Sequence, residues 1–530
     1  MGDANKLELD WPALFKAIEG LKPGVHDLSV KKETVPIIFV PGIMGSRLKN
    51  TKGEKVWDPD APVFMLRKFG MAWDTAAKKK KFVVGDTFDP DYLVPYADDT
   101  DHNEDKFEKD FPGASERGWG TVAWSSYGKV LSRLQSQKWS PALRAAFDFP
   151  VYAHGYNWSA SNTQSGKKLK ELIDSLKKKY ERCEQVIVVT HSMGGLVTGS
   201  ALWEHSIGPS VAGVIHGVLP ATGSPAAYWR MKAGFERTDF MSRIAAWVLG
   251  SNGEEVTALL GNMPGGLQLL PGPSYTDNSG NAKWLKFADH DGNVVDARPK
   301  TGDAYEEIYK NKTDYWRAIN PAFLSPGKKK GVDLEDDDAA WGDYTAFIDM
   351  AKGFHTRVKL DRNEPTWCFY GVGKKFVVAD RVVYQSEEHG WKKVAGEILK
   401  LSLRTGAMSM VLGPAGALAS IAAHGVTHSD WWSSRGGFKT RVTQGEVTLE
   451  VTLQAGSWKA KGEGDDSPHG SGDGTVPESS GKAVKAPGQP YSEIGHEPAY
   501  TYDSEEQPVL SAVAKQIEKF CIEKIKKKVG

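Results

Sequence analysis

The stretch Val186-Ile187-Val188-Val189-Thr190-His191-Ser192-Met193-Gly194-Gly195 constrains this chain more than any other. Its β-branched run suits a strand buried on both faces of a parallel sheet, and residues 196–203 suit a crossover helix behind it. Ser192 falls at the turn between them. A serine whose Oγ stands clear above a sheet needs a sharp turn, and a sharp turn needs small residues two places before and after it. Gly194 meets that demand on one side, whereas Thr190 stands where a second glycine would be roomier. Taken alone, Ser-Met-Gly-Gly would equally describe a serine capping a helix. The rest of the chain decides between the two.

A second buried-strand run, Val35-Pro36-Ile37-Ile38-Phe39-Val40, ends in Pro41-Gly42-Ile43-Met44-Gly45-Ser46-Arg47-Leu48. Glycines directly after a strand bring backbone N–H groups to the carboxyl edge of the sheet, where open α/β folds place their ligands. Paired with the N–H of the residue after a nucleophile, such a loop forms an oxyanion hole, which makes Met44 and Met193 the candidate donors. A third strand, Phe149-Pro150-Val151-Tyr152-Ala153, leads through His154-Gly155-Tyr156-Asn157-Trp158-Ser159 into a helix marked by Leu169, Leu172, Ile173 and Leu176. Residues 211–218 and 366–373 read as further strands. This alternation predicts an α/β fold of the hydrolase type, with a mostly parallel central sheet and crossover helices.

The alternation breaks twice, which sets the expected organisation: a helical extension at 1–34, a first core part at 35–223, and a cap insertion at 224–362. Core strands at 363–385, an apolar insertion at 386–445 and a C-terminal core part at 446–530 complete it. A strand pair is expected at 376–384 and 447–453, and an amphipathic helix at 509–527. Asp289-His290-Asp291-Gly292-Asn293 half resembles a calcium loop but lacks the closing glutamate, so it reads as a hairpin turn. Residues 403–426 are expected to form a mobile lid or interfacial segment over the site, or a buried helical hairpin packed on the cap. Pro414 and the abundant glycines there argue against a membrane helix.

Charge and cysteine content exclude several classes. The 67 basic and 67 acidic side chains cancel, leaving no global attraction to nucleic acid. Lys78-Lys79-Lys80-Lys81 and the acidic run at 98–105 read as solvated loop. Cys183, Cys368 and Cys521 have the spacing of neither a disulfide framework nor a metal site, and suit buried thiols in a reducing compartment. Met1-Gly2-Asp3-Ala4-Asn5-Lys6 leads into no apolar core, so a chain made in the cytoplasm without a Sec-type signal is expected.

A nucleophilic serine needs a histidine base and a carboxylate that fixes the tautomer of that base, and on this fold the chain order is Ser, Asp, His. Gly472-Asp473-Gly474-Thr475-Val476-Pro477 offers an aspartate on a tight turn, and Ile494-Gly495-His496-Glu497 offers the histidine. Asp465 and Asp466 are rival acids; His469, His424 and His428 are rival bases, and His469 breaks the order. Such chemistry requires neither a metal nor an organic cofactor.

Together, Pro41-Gly42-Ile43-Met44-Gly45-Ser46-Arg47-Leu48, His191-Ser192-Met193-Gly194-Gly195, Tyr370-Gly371-Val372-Gly373, Gly472-Asp473-Gly474-Thr475-Val476-Pro477 and His496 resemble the ordered motifs of the lecithin:cholesterol acyltransferase family. The resemblance implies Ser192, Asp473 and His496 as catalytic residues, Met44 and Met193 as oxyanion donors, and Tyr156 and Trp158 as substrate-binding residues. Lacking a signal peptide and paired cysteines, the chain is more similar to bacterial lipase effectors of type VI secretion. That likeness implies a membrane phospholipid substrate, an immunity protein and a secretion-apparatus partner, with delivery into a target cell's periplasm. Acyl transfer, deacylation of a glycolipid anchor, and a catalytically silent hydrolase-fold interaction protein are the alternatives.

Overall fold

The computed structural model describes residues 32–69, 76–97, 107–235, 249–250, 252–326, 338–359, 361, 363–386, 427–432, 438–444, 447–455, 458–464 and 467–529. Its central sheet has six parallel strands in the order Val151–Ala153, Ile37–Val40, Val186–His191, Val211–Gly217, Thr366–Val372 and Gly488–Ser492. Every residue of Ile37–Val40, Val186–His191 and Val211–Gly217 is buried, because helices cover both faces. Successive side chains divide between those faces. Ile38, Val40, Val186 and Val188 pack with Leu169, Ile173 and Leu176 of the helix Asn162–Lys179. Ile37, Phe39, Ile187 and Val189 pack with the helices Trp124–Gln135 and Val509–Val529.

The C-terminal helix lies against the sheet because Gly213 has no side chain: a Cβ there would stand 2.1 Å from the Phe520 ring. Ser161 caps the helix Asn162–Lys179 by accepting from the Gln164 N–H, and Ser224 caps Pro225–Ala233 by accepting from the Ala226 N–H. The second of these helices opens the cap. Gly253–Leu260, a hairpin of Leu285–Ala288 and Val294–Arg298, and the long helix Asp338–Arg357 follow it. The hairpin turn is the Asp289 loop, whose carboxylate accepts from the backbone and side chain of Asn293.

A second sheet departs from the expected layout. Its order is Val294–Arg298, Leu285–Ala288, Val382–Ser386, Val447–Ala455, Phe438–Gln444 and Thr427–Trp432. The expected pair at 376–384 and 447–453 does form, antiparallel, from Val382–Ser386 and Val447–Ala455. It belongs to this sheet, not the central one, because Val382–Ser386 pairs in parallel with the cap strand Leu285–Ala288. The lysine run also differs from expectation. It lies on the helix Ala76–Val83, where Lys79 is buried and its Nζ stands 3.0 Å from Glu255 of the cap. A charge run placed on a helix sends some of its members inward by periodicity alone.

The helical extension up to residue 31, the acidic run at 98–105, Asp465, Asp466, His424 and the 403–426 segment lie outside the described residues. Among the described residues no helix is long and apolar enough to cross a membrane, and no group of His, Cys, Asp and Glu is placed to hold a metal ion. Cys183, Cys368 and Cys521 are all buried.

Removing the Phe520 ring opens a cavity over Gly213 and is expected to destabilise the fold by about 3–5 kcal/mol, whereas Met350→Ala on the surface stays within about 0.5 kcal/mol. Urea unfolding of Phe520→Ala and Met350→Ala, followed by tryptophan fluorescence, checks the difference.

Candidate active site

Ser192 sits at the carboxyl end of Val186–His191 with φ of 51°, in the left-handed region where few non-glycine residues fall. The helix Gly194–Trp203 starts two residues later, so its positive end faces the turn. Gly194 permits the sharpness, since a Cβ there would lie 2.4 Å from the Val40 carbonyl oxygen. Thr190 is accommodated without that freedom. Its side chain is fully buried, and its hydroxyl lies 3.0 Å from Nδ1 of His216 on the neighbouring strand.

Two distant segments meet this serine. Ser192 Oγ is 2.8 Å from His496 Nε2, and His496 Nδ1 is 2.9 Å from Asp473 Oδ2. The carboxylate can only accept, so Nδ1 carries the proton and Nε2 is free to accept from the serine hydroxyl. The other carboxylate oxygen of Asp473 accepts from the N–H groups of Thr475 and Val476 at 2.9 and 2.7 Å. Gly371 makes room for the acid: a Cβ there would come 2.7 Å from that of Asp473. Of the rival bases, His469 is buried and bonded through Nδ1 to Asp380, whose other oxygen accepts from the Asn278 N–H at 3.0 Å. His428 lies on Thr427–Trp432 in the second sheet.

Met193 directly follows Ser192 in the chain, and Met44 lines the same cleft as Ser192. Met193 is fully buried at the start of the elbow helix. Met44 has φ of 64°, and its carbonyl accepts from the Trp57 indole at 2.6 Å, which fixes the peptide that follows. Among the described residues no hydrogen bond occupies the N–H of either methionine. Tyr156 and Trp158 are buried behind this loop. The Tyr156 hydroxyl donates to the Pro41 carbonyl at 3.0 Å, and Trp158 packs edge-on against Trp57 at 5.7 Å. Trp57 lines the cleft over Ser192; Tyr156 and Trp158 do not.

That cleft is walled by Ile43, Trp57, Phe235, Leu249, Leu260 and Leu269, with Ser192 and His496 in its lining. Arg230, on the cap helix Pro225–Ala233, also lines it, its guanidinium 5.1 Å from the Phe235 ring. Sequence reading missed Arg230, Tyr127 and His191. Tyr127 lies on Trp124–Gln135, and its hydroxyl is 3.0 Å from His191 Nδ1. His191 is held neutral, its pKa pushed down to about 3 by burial and then by the neighbouring His496. The signal for both residues was present in the glycines of the oxyanion loop: a Cβ on Gly42 would meet His191 Nδ1 at 2.9 Å, and one on Gly45 the Tyr127 hydroxyl at 2.6 Å.

Residues 111–365 match the model of the alpha/beta hydrolase family, a span that holds Ser192 but neither Asp473 nor His496. Sixteen solved chains match the chain. One, from the crystal structure of the Tle4–Tli4 complex, is 24% identical, covers 92% of this chain and 99% of its own, and has a TM-score of 0.67. Another, the Bacillus licheniformis lipase BlEst2 in its mature form, is 15% identical over 54% of this chain and 74% of its own, with a TM-score of 0.20. Among curated proteins none matches. The fold is that of an α/β-hydrolase, with a mostly parallel central sheet and inserted elements over its carboxyl edge.

Met44 occupies a positive-φ position with an unbranched side chain. Met44→Leu is therefore expected to leave the reaction of Ser192 with a fluorophosphonate within about threefold, while the β-branched Met44→Val slows it by more than about tenfold. Labelling rates followed by mass spectrometry test this, and equal rates for the two variants would contradict it.

Proposed function

We propose that this chain is a serine acyl-ester hydrolase, a lipase or phospholipase acting on membrane glycerophospholipids. The observation that carries the reading is the unbroken line from Asp473 through His496 to Ser192, at 2.9 and 2.8 Å, in the floor of an apolar cleft. In this scheme Ser192 Oγ attacks the ester carbonyl as its proton passes to His496 Nε2, and the Met44 and Met193 N–H groups hold the oxyanion. Collapse expels the lysolipid alcohol, which takes the proton from His496 and leaves the acyl group on Ser192. Water attacks the acyl-enzyme with His496 again as base, releasing the fatty acid. Every proton moves between Ser192, His496, the alcohol and water, so the scheme calls for no metal or cofactor. Tyr156 and Trp158 support the oxyanion loop and the Trp57 wall in this reading.

The phospholipid part of the proposal rests on Arg230. The cleft is lined largely by apolar side chains, with Glu497 as its other charged residue, and a guanidinium there is the group expected to meet a lipid phosphate, by charge-assisted hydrogen bonds. The same reading makes the protein a toxin made in the cytoplasm and delivered through type VI secretion, with an immunity protein and a secretion-apparatus component as partners. Its support is the fold shared across 92% of the chain with a member of a complex, Tle4–Tli4.

Ser192→Ala, Asp473→Asn and His496→Ala are each expected to remain folded and to lose about 10⁴-fold or more of ester turnover. Near-normal turnover in His496→Ala would overturn the assignment of the base. Mass spectrometry of products from defined phosphatidylethanolamine, with and without an added alcohol, separates hydrolysis from transfer.

Arg230→Met is expected to lower the ratio of kcat/KM on phosphatidylethanolamine to that on a neutral diacylglycerol by about tenfold. An unchanged ratio would remove Arg230 from head-group recognition.

A further inference from the structure

We propose that Tyr127 and His191 are positioning residues, joined in a single hydrogen-bond chain that ties the oxyanion loop to the main chain of His496 and so sets both against Ser192. The inference rests on the hydrolase reading above and concerns how its parts are held in register.

The direction of each bond follows from the atoms. His191 Nε2 lies 2.9 Å from the His496 carbonyl oxygen, which can only accept, so Nε2 carries the ring proton. A neutral imidazole then presents a lone pair at Nδ1, where the Tyr127 hydroxyl sits 3.0 Å away and donates. The oxygen of that hydroxyl accepts from the Gly42 N–H at 3.2 Å. Gly42 stands two residues before Met44, in the loop that supplies one oxyanion donor. At the other end, the His496 N–H donates to the Asp473 carbonyl at 2.9 Å, so the base is gripped on both sides of its own peptide unit.

Alternatives to this polarity are poor. A second proton on His191 would point at the Tyr127 oxygen and place a positive charge beside His496, whose ring centre is 5.2 Å away and must itself become positive during the reaction. Tyr127 and His191 are buried, and both hydroxyl and ring sit where the cleft begins. Buried bonds of fixed direction leave each partner one position. The oxyanion loop, the elbow and the base come from segments far apart in the chain, and this line of contacts joins all three without using a group that reacts.

The test uses the full chain and a soluble p-nitrophenyl ester, with active sites counted by fluorophosphonate titration. Tyr127→Phe and His191→Phe are expected to lower kcat by about 10- to 100-fold while KM changes less than about threefold, the effect of moving reacting groups by a fraction of an ångström to about 1 Å. His191→Gln, whose amide can donate toward the His496 carbonyl and accept from Tyr127, is expected to recover kcat to within about fivefold of wild type. The double variant Tyr127→Phe, His191→Phe should lose little more than either single one, since a chain is broken once. Unchanged kcat per titrated site in Tyr127→Phe overturns the proposal, as do losses that multiply in the double variant or that appear in KM alone. Should His191→Phe fail to fold, Tyr127→Phe and His191→Gln decide the matter. A wild-type protein without Ser192-dependent turnover would instead overturn the hydrolase reading, so the two failures are distinguishable.

Discussion

A hydrogen bond of 2.8 Å joins Ser192 to His496 across 304 residues of chain, and the rest of the architecture serves to make that closure reproducible. Two stiff frames bring the ends together. The serine is fixed by its own strand, buried along its whole length and paired on both sides, while His496 follows the edge strand Gly488–Ser492, held in register by Thr366–Val372. Between them the chain leaves the sheet to build the cap and the second sheet, then returns to deliver Asp473. A rigid sheet edge allows long excursions, because the position of each returning segment is set by strand pairing and not by the length of loop between.

Close packing at the carboxyl edge does the finer placement. Gly194 lets the elbow pass under the Val40 carbonyl, Gly371 lets Asp473 approach its strand, and Gly42 lets the oxyanion loop rest on His191. At each point a single methyl group would push a functional segment aside. The acid loop is also fastened from outside: Asn278 of the cap donates to the carbonyls of Pro468 and Ser471 and accepts from the Ser479 N–H. The buried Asp380 and His469 pair lies against the same loop, which gives that histidine a partner remote from Ser192. The segment that lines the cleft from 225 to 269 thus continues into Asn278, which anchors the loop that carries Asp473.

In the proposed reading, the lining of the cleft separates chemistry from recognition. Ser192, His496 and the oxyanion loop arise from the sheet, while Phe235, Leu249, Leu260, Leu269 and Arg230 come from the cap. Changes in the cap can alter what enters without disturbing how the sheet edge is arranged. Tyr127 and His191 belong to the sheet side of this division, and they unite its three segments by bonds of fixed direction.

The sequence by itself determined five of the six strands of the central sheet, all but the edge strand Gly488–Ser492, together with the elbow at Ser192 and the order of Ser192, Asp473 and His496. Those features are local: unbroken β-branched runs mark strands buried on both faces, and tight turns demand glycines at particular offsets. It also named the three side chains that the structure brings within hydrogen-bonding distance, because their order along the chain follows from the topology of the sheet. Only the tertiary structure decided that Val382–Ser386 leaves the central sheet, that Lys79 is buried against Glu255, that His469 belongs to Asp380, and that Tyr127, His191 and Arg230 surround the serine. Each of these depends on which side chain lies opposite which across segments remote in sequence, and no period or turn signature encodes a contact between them. The glycines at 42 and 45 carried a trace of Tyr127 and His191, yet a missing side chain records only that something comes close. What comes close is settled when the segments pack.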